Sequence, residues 1–158
     1  MVGYPLPEIR IGTNGDGTFA IANVPPAVDW YLYGKMESLA SLGGSPIIEF
    51  TTKSDGEELD VGDVSLVPAF QLRGRVVLSD GKPMPAGMRV TIGSERAFDS
   101  QTAVLSSNGA FEFSGLAKGG YTIFASVRGY RMASSSIGGI ALTIEENVGD
   151  LVVTLNPR

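Results

Sequence analysis

Alternation of apolar and polar residues at period two runs along most of this chain. "FAI" at 19–21, "WYLYGKM" at 30–36, "IIEF" at 47–50 and "VSLV" at 64–67 read as strands. "LRGRVVL" at 72–78, "RVTI" at 89–92, "TAVL" at 102–105 and "FEF" at 111–113 follow the same rule. "YTIFASV" at 121–127, "IALTI" at 140–144 and "LVVTL" at 151–155 complete the set. Each is short, rich in β-branched or aromatic residues, and bounded by Gly, Pro, Asp or Ser. Only "KMESLASL" at 35–42 has helical spacing, with Met36, Leu39 and Ala40 on one face. It is too short to stand as an isolated helix. Many short strands separated by frequent turns predict an all-β sandwich.

The pattern also repeats. Gly109 and Phe111 follow Gly17 and Phe19 at an offset of 92, and Tyr121 follows Trp30 at 91. "LGG" at 42–44 returns as "IGG" at 137–139, "EE" at 57–58 returns at 145–146, and "VGD" at 61–63 returns at 148–150. Two copies of one β module account for this better than chance does. The expected division is 1–68 and 69–158. An offset of 92 puts Met1 opposite Gly93, so the first copy has no counterpart of "LRGRVVL" or "RVTI". The sequence is expected to begin partway through a module. The alternative is an oligomer completed through the unpaired edge of the first module.

Composition narrows the chemistry. The 43% hydrophobic content supports a buried core, and 21 Gly with 9 Pro supply many turns. There is no His and no Cys, which removes Ser-His-Asp and Cys-His catalysis, imidazole or thiolate metal ligands, and disulfides. Residues 1–70 carry 10 acids and 3 bases; residues 71–158 carry 7 acids and 9 bases. Neither half has the concentrated basic patch of a nucleic-acid binder. The opposite signs would suit contact between neighbouring modules, although solvated surfaces are the plainer reading. No apolar run is long enough for a membrane span. The opening "MVGYPLPEIR" lacks the basic start and apolar middle of a signal peptide.

The second copy carries a family pattern. "LRGRVVLSDGKPMPAGMRVTIG", then "SSNGAFEFSGLAKGGYTIFASVRGY", then "VGDLVVTL" resembles the carboxypeptidase regulatory-like domain, a transthyretin-like (prealbumin-like) β-sandwich. The resemblance covers Gln71 to about Asn156 well and residues 9–68 more loosely. The first copy departs at "NVPPAVDWYLYGKM", with Trp30 at the Tyr position. The resemblance implies a Greek-key sandwich, an accessory role beside enzymes, receptors or repeat arrays, and an exported setting: extracellular, cell-surface or periplasmic. It implies no catalysis and no cofactor. Transthyretin-like hydroxyisourate hydrolases use His residues and a Tyr-Arg-Gly-Ser terminus; this chain ends "LNPR". Collagen-adhesin B-type domains can join a first-strand Lys to an Asn. Here Arg73 and Arg75 occupy that strand, and a guanidinium stays protonated and cannot attack. Lys82 lies in a turn, and Asn156 is left without that partner.

Three candidate sites remain. In "TNGDGTFAI", Asn14 and Asp16 could fill two positions of a calcium loop. However, the first position falls on Gly12 and the twelfth on Asn23, where a bidentate Glu is needed. A tight turn needs only the Asp-Gly pair, so it is preferred, with calcium kept as the alternative. In the aromatic strand, alignment with "YTIFASV" puts Trp30, Leu32 and Met36 on the core face. Tyr31, Tyr33 and Phe124 then face outward, to stack on a sugar or pack on a neighbouring domain. The acids Glu57, Glu58, Asp60 and Asp63, and Glu145, Glu146 and Asp150, recur in both copies and read as solvated loops. No phosphate-cradling glycine loop leads into a helix. The sequence therefore reads as an accessory or spacer module with neighbouring domains as partners. A carbohydrate- or peptide-binding module is the alternative.

Overall fold

The computed structural model describes residues 8–132 and 139–158. The stretch 1–7 and the Ile137-Gly138 part of the "IGG" match lie outside the described residues. The chain forms two compact units, Met1–Trp30 with Thr51–Asp60, and Tyr31–Phe50 with Val61–Arg158.

In chain order the elements are β1 (Asp29–Leu32), α1 (Met36–Leu39), β2 (Ile48–Thr51), β3 (Phe70–Leu78), β4 (Arg89–Ser94) and β5 (Ser100–Val104). Then come β6 (Ala110–Leu116), β7 (Gly119–Ser126), β8 (Tyr130–Met132), β9 (Ile140–Ile144) and β10 (Val148–Pro157). β1 and β2 pair as a two-stranded sheet. The strands from β3 onward make two four-stranded sheets, ordered β6-β3-β10-β8 and β5-β4-β7-β9. This is the expected all-β Greek-key sandwich. Apart from the β4–β5 hairpin, consecutive strands from β3 onward cross between the sheets, so each sheet is built from distant parts of the chain.

Alternation drives the packing. On β3, Leu72, Val76 and Leu78 are buried while Gln71, Arg73 and Arg75 are exposed. Val90 and Ile92 on β4, Phe111 and Phe113 on β6, Tyr121 and Ile123 on β7, and Val153 and Leu155 on β10 meet them in one core. Burying each large aliphatic side chain contributes about 1.5–3 kcal/mol. Gly74 sits where β10 bulges between Val148 and Leu151. A Cβ there would lie 2.5 Å from Leu151 O and 2.7 Å from the Phe111 ring, so the Phe111 ring fills the space that a side chain would take. The first and last strands, β3 and β10, are parallel neighbours, running from Leu72 opposite Val148 to Leu78 opposite Leu155.

Three strand expectations need correction, and one strand was not expected. "FAI" at 19–21 forms no strand. β6, which the 92-residue sequence offset aligns with it, is paired to β3, and no described strand runs beside residues 19–21. "VSLV" contributes one bridge, Val67 to Gly44, not a strand. "WYLYGKM" is extended only to Leu32, and the chain then turns into α1. β8, which follows the turn at Gly129, was not anticipated; three residues are too few for periodicity to register.

Candidate functional site

The most enclosed polar feature of the sandwich unit is built around Asp99, the residue before β5. It is 5% exposed and is the one charged residue in the core among the described residues. A buried carboxylate is costly unless it is partnered. Its Oδ2 accepts from Met36 N at 2.8 Å, tying down the first turn of α1. Its Oδ1 lies 3.4 Å from Lys35 Nζ without a directed hydrogen bond. Lys35 Nζ also donates to Phe98 O at 3.3 Å and sits 5.8 Å from the centre of the Tyr33 ring. The same segment approaches β6 at van der Waals limits. A Cβ on Gly115 would lie 2.7 Å from Ala40 Cα, and one on Gly44 would lie 2.9 Å from Ala117 Cα. Bulkier residues at these glycines would push residues 36–44 off the sheet.

Beside Asp99 is a cleft of about 440 Å³, walled by Tyr33, Met36, Phe70, Lys118 and Tyr121. Tyr121 is buried and donates its hydroxyl to Ala117 O at 2.9 Å. Burial, reinforced by the Asp99 charge, pushes its pKa up to about 12. The hydroxyl therefore stays protonated at neutral pH. The arrangement offers a walled apolar pocket with one fixed carboxylate, whose oxygens hold the backbone and the ammonium of the neighbouring segment.

The candidate aromatics are not brought together. Tyr31, on β1, is 54% exposed and lines neither this cleft nor the shallow groove that Phe124 borders. Tyr33 is half-buried in the cleft wall instead of facing out, because β1 ends before it and the alternation stops there. Phe124, on β7, is 42% exposed. Trp30 and Leu32 are half-buried and Met36 is buried. Asp99 and Lys35 had no distinguishing sequence signal. "RAFDS" looks like any turn, and only the fold places Asp99 against residues 35–36.

The Asn14–Thr18 loop is a closed turn. Asn14 N donates to Thr18 O at 2.8 Å, Gly17 N to Asn14 O at 3.0 Å, and Thr18 N to Asp16 Oδ1 at 3.0 Å. The Thr18 hydroxyl adds a bond to the same oxygen at 2.7 Å. These donors hold the Asp16 carboxyl below its ordinary pKa, the backbone N–H contributing most. The Ser106–Ala110 turn repeats the scheme: Ser106 N to Ala110 O at 3.0 Å, Gly109 N to Ser106 O at 2.8 Å, Ala110 N to Asn108 Oδ1 at 3.1 Å. Among the described residues no three acidic side chains are grouped to hold a metal ion.

The family profile of the carboxypeptidase regulatory-like domain matches residues 71–156, more than half of the sequence and nearly the whole span from β3 to β10. The chain belongs to this family. As a carboxypeptidase regulatory-like domain it is similar to several solved structures. A group B streptococcus pilus 2b backbone protein is 12% identical, with a TM-score of 0.44 over 70% of this chain and 48% of that one. A minor pilin of Streptococcus agalactiae is 17% identical, with a TM-score of 0.45 over 73% of this chain and 54% of that one. The major pilin subunit of Bacillus cereus is 16% identical, with a TM-score of 0.43 over 86% of this chain and 41% of that one. The chain thus spans about half the length of these proteins. No curated protein matches its sequence. Among the described residues no helix is long and apolar enough to cross a membrane.

Proposed function

We propose that this carboxypeptidase regulatory-like domain is a non-catalytic spacer and interaction module of a larger exported protein, in an extracellular, cell-surface or periplasmic setting. The parallel pairing of β3 with β10 carries the reading. Because the two strands run the same way, the chain enters the sandwich at one end and leaves at the other. Modules linked so would string end to end. Tension on the two ends would load the whole β3–β10 ladder in shear, its hydrogen bonds sharing the force. The division into modules at 1–68 and 69–158 is part of the proposal, supported by the matching hydrogen bonds of the two turns. Partners would be neighbouring domains of the same chain.

Single-molecule stretching tests the idea. Attachment at residues 70 and 157 should give a higher rupture force than attachment across the β4–β5 hairpin, which opens one bond at a time. Equal forces would remove the mechanical argument. A second reading, carbohydrate or peptide binding at Tyr31, Tyr33 or Phe124, is favoured only by the exposure of Tyr31 and Phe124 and by Tyr33 lining a cleft. Chemical-shift changes at those rings on adding an oligosaccharide panel would establish it. Silence across the panel would remove it.

A further inference from the structure

A second surface of the sandwich unit has a marked charge character. Arg89 at the start of β4, Phe124 on β7, Tyr130 and Arg131 on β8, and Arg158 border an open groove of about 560 Å³. No acidic residue lines it. All three arginines are exposed, and Arg89 and Arg131 make no ion pair among the described residues. Arg158 is fixed in place, its Nε donating to Tyr130 O at 3.1 Å and its backbone N to Gly129 O at 3.0 Å. The nearby carboxylate, Asp80, is engaged by Lys82 Nζ at 2.9 Å and by the Tyr130 hydroxyl at 2.9 Å, so its charge is offset. Three guanidiniums around one groove, with an aromatic ring at its wall, suit an extended segment that carries several carboxylates.

The chain itself contains an exposed acidic segment, which opens in a turn where Glu57 N donates to Ser54 O at 3.1 Å and then runs on without strand or helix. "SDGEELDVGD" at 54–63 has five carboxylates and no base, forms no strand or helix, and is exposed at every position except Val61. We infer that the acidic segment 54–63 of one copy docks in the arginine groove of a second copy. The two surfaces differ, so the contact is heterologous, head to tail, and can repeat from copy to copy. Exposed ion pairs are individually weak, so the association is weak, electrostatic and salt-sensitive. In a tandem array the linked neighbour would raise the local concentration of the segment and make weak docking effective. The inference deepens the interaction-module reading and rests on it.

Sedimentation analysis of the whole chain over a range of concentrations tests it. Self-association is expected at roughly 0.1–1 mM in low salt, weakening about tenfold or more between 50 and 500 mM NaCl. The double variant R89E/R131E and the double variant E57K/E58K should each be monomeric alone. Mixed, they should associate, because each supplies the surface the other lacks; restored binding also shows that both are folded. A wild-type chain that stays monomeric at 1 mM in low salt overturns the docking but leaves the spacer reading standing, since that reading is tested by force. Association undiminished in R89E/R131E also overturns it. So does tight binding of an oligogalacturonate at the arginines without self-association, which assigns the groove to an acidic polysaccharide.

Discussion

The turns at Asn14–Thr18 and Ser106–Ala110 close with the same three hydrogen bonds, yet only one leads into a strand. Gly17 and Gly109 share a left-handed conformation, φ 86° and 80°. At Gly109 the turn lies against β3: Val76 N donates to Gly109 O at 2.9 Å, and an added Cβ would sit 2.1 Å from Val76 O. At Gly17 an added Cβ would meet nothing within 4 Å. Turn geometry is therefore a local property of the Asx-Gly sequence, whereas a strand needs a partner. The largest expected effect exploits that difference. Gly109→Ala combines left-handed strain with a backbone collision and should cost roughly 3–5 kcal/mol. Gly17→Ala carries the strain alone, about 1–2 kcal/mol, and only locally. Urea denaturation followed at both turns would check this. Equal losses would mean that the first turn is as firmly supported as the second.

The same contrast explains what the sequence made legible. The sandwich from β3 to β10, apart from the three-residue β8, is readable because alternation and turn signals agree there, and each strand finds its partner inside the family pattern. Phe19–Ile21 has the alternation without the partner, so periodicity alone overstated it. The 31–47 stretch failed differently. Its attachment through Asp99, Gly115 and Gly44 depends on contacts with residues far along the chain, and no local pattern encodes them. Tyr33 departs from the alternation because the parity rule holds only while the strand lasts, and β1 ends at Leu32.

The attachment of residues 35–44 can be broken separately. Asp99→Ala removes the acceptor for Met36 N and the counter-charge for Lys35. It should destabilise the sandwich unit by about 2–3 kcal/mol and speed amide exchange at Met36 and its neighbours. Asp99→Asn keeps an acceptor and should cost less, about 1 kcal/mol. If neither variant changes exchange in that segment, glycine packing alone holds it to the sheet.

Two aromatic positions that the 91-residue sequence offset aligns, Trp30 and Tyr121, give a pH-dependent version of the comparison. The Trp30 Nε1 is buried without a hydrogen-bond partner, while the Tyr121 hydroxyl is satisfied by Ala117 O. Only Tyr121 can ionise. Its folded pKa of about 12 lies above the ordinary value of 10.0, so the folded state holds the proton more tightly. Its contribution to stability is complete below about pH 10 and is lost as pH rises towards 12. Tyr121→Phe should be less stable at pH 8, having lost the hydroxyl's hydrogen bond, but should lack this part of the alkaline fall. A variant with the wild-type pH profile would show that Tyr121 is not its source.

The smallest effect separates the two turns by acid. Asp16 and Asn108 play the same part, each accepting from the N–H two residues on, but only Asp16 titrates. The Thr18 donors favour its charged form and set its folded pKa below the ordinary value of 3.8. Stabilisation from this carboxylate is therefore present above that value and is lost as pH falls through the lower, folded pKa. Because Asp16 is fully exposed, the change should loosen the Asn14–Thr18 turn without unfolding the sandwich. The Thr18 amide resonance should shift and exchange faster on titration from pH 6 to 2, while the Ala110 amide, bonded to a neutral side chain, should not follow it. Asp16→Asn should make the first turn as indifferent to acid as the second. If Thr18 still titrated in that variant, another group would have to be closing the turn. The equivalence of the two loops, on which the reading of two related modules rests, would then be limited to sequence.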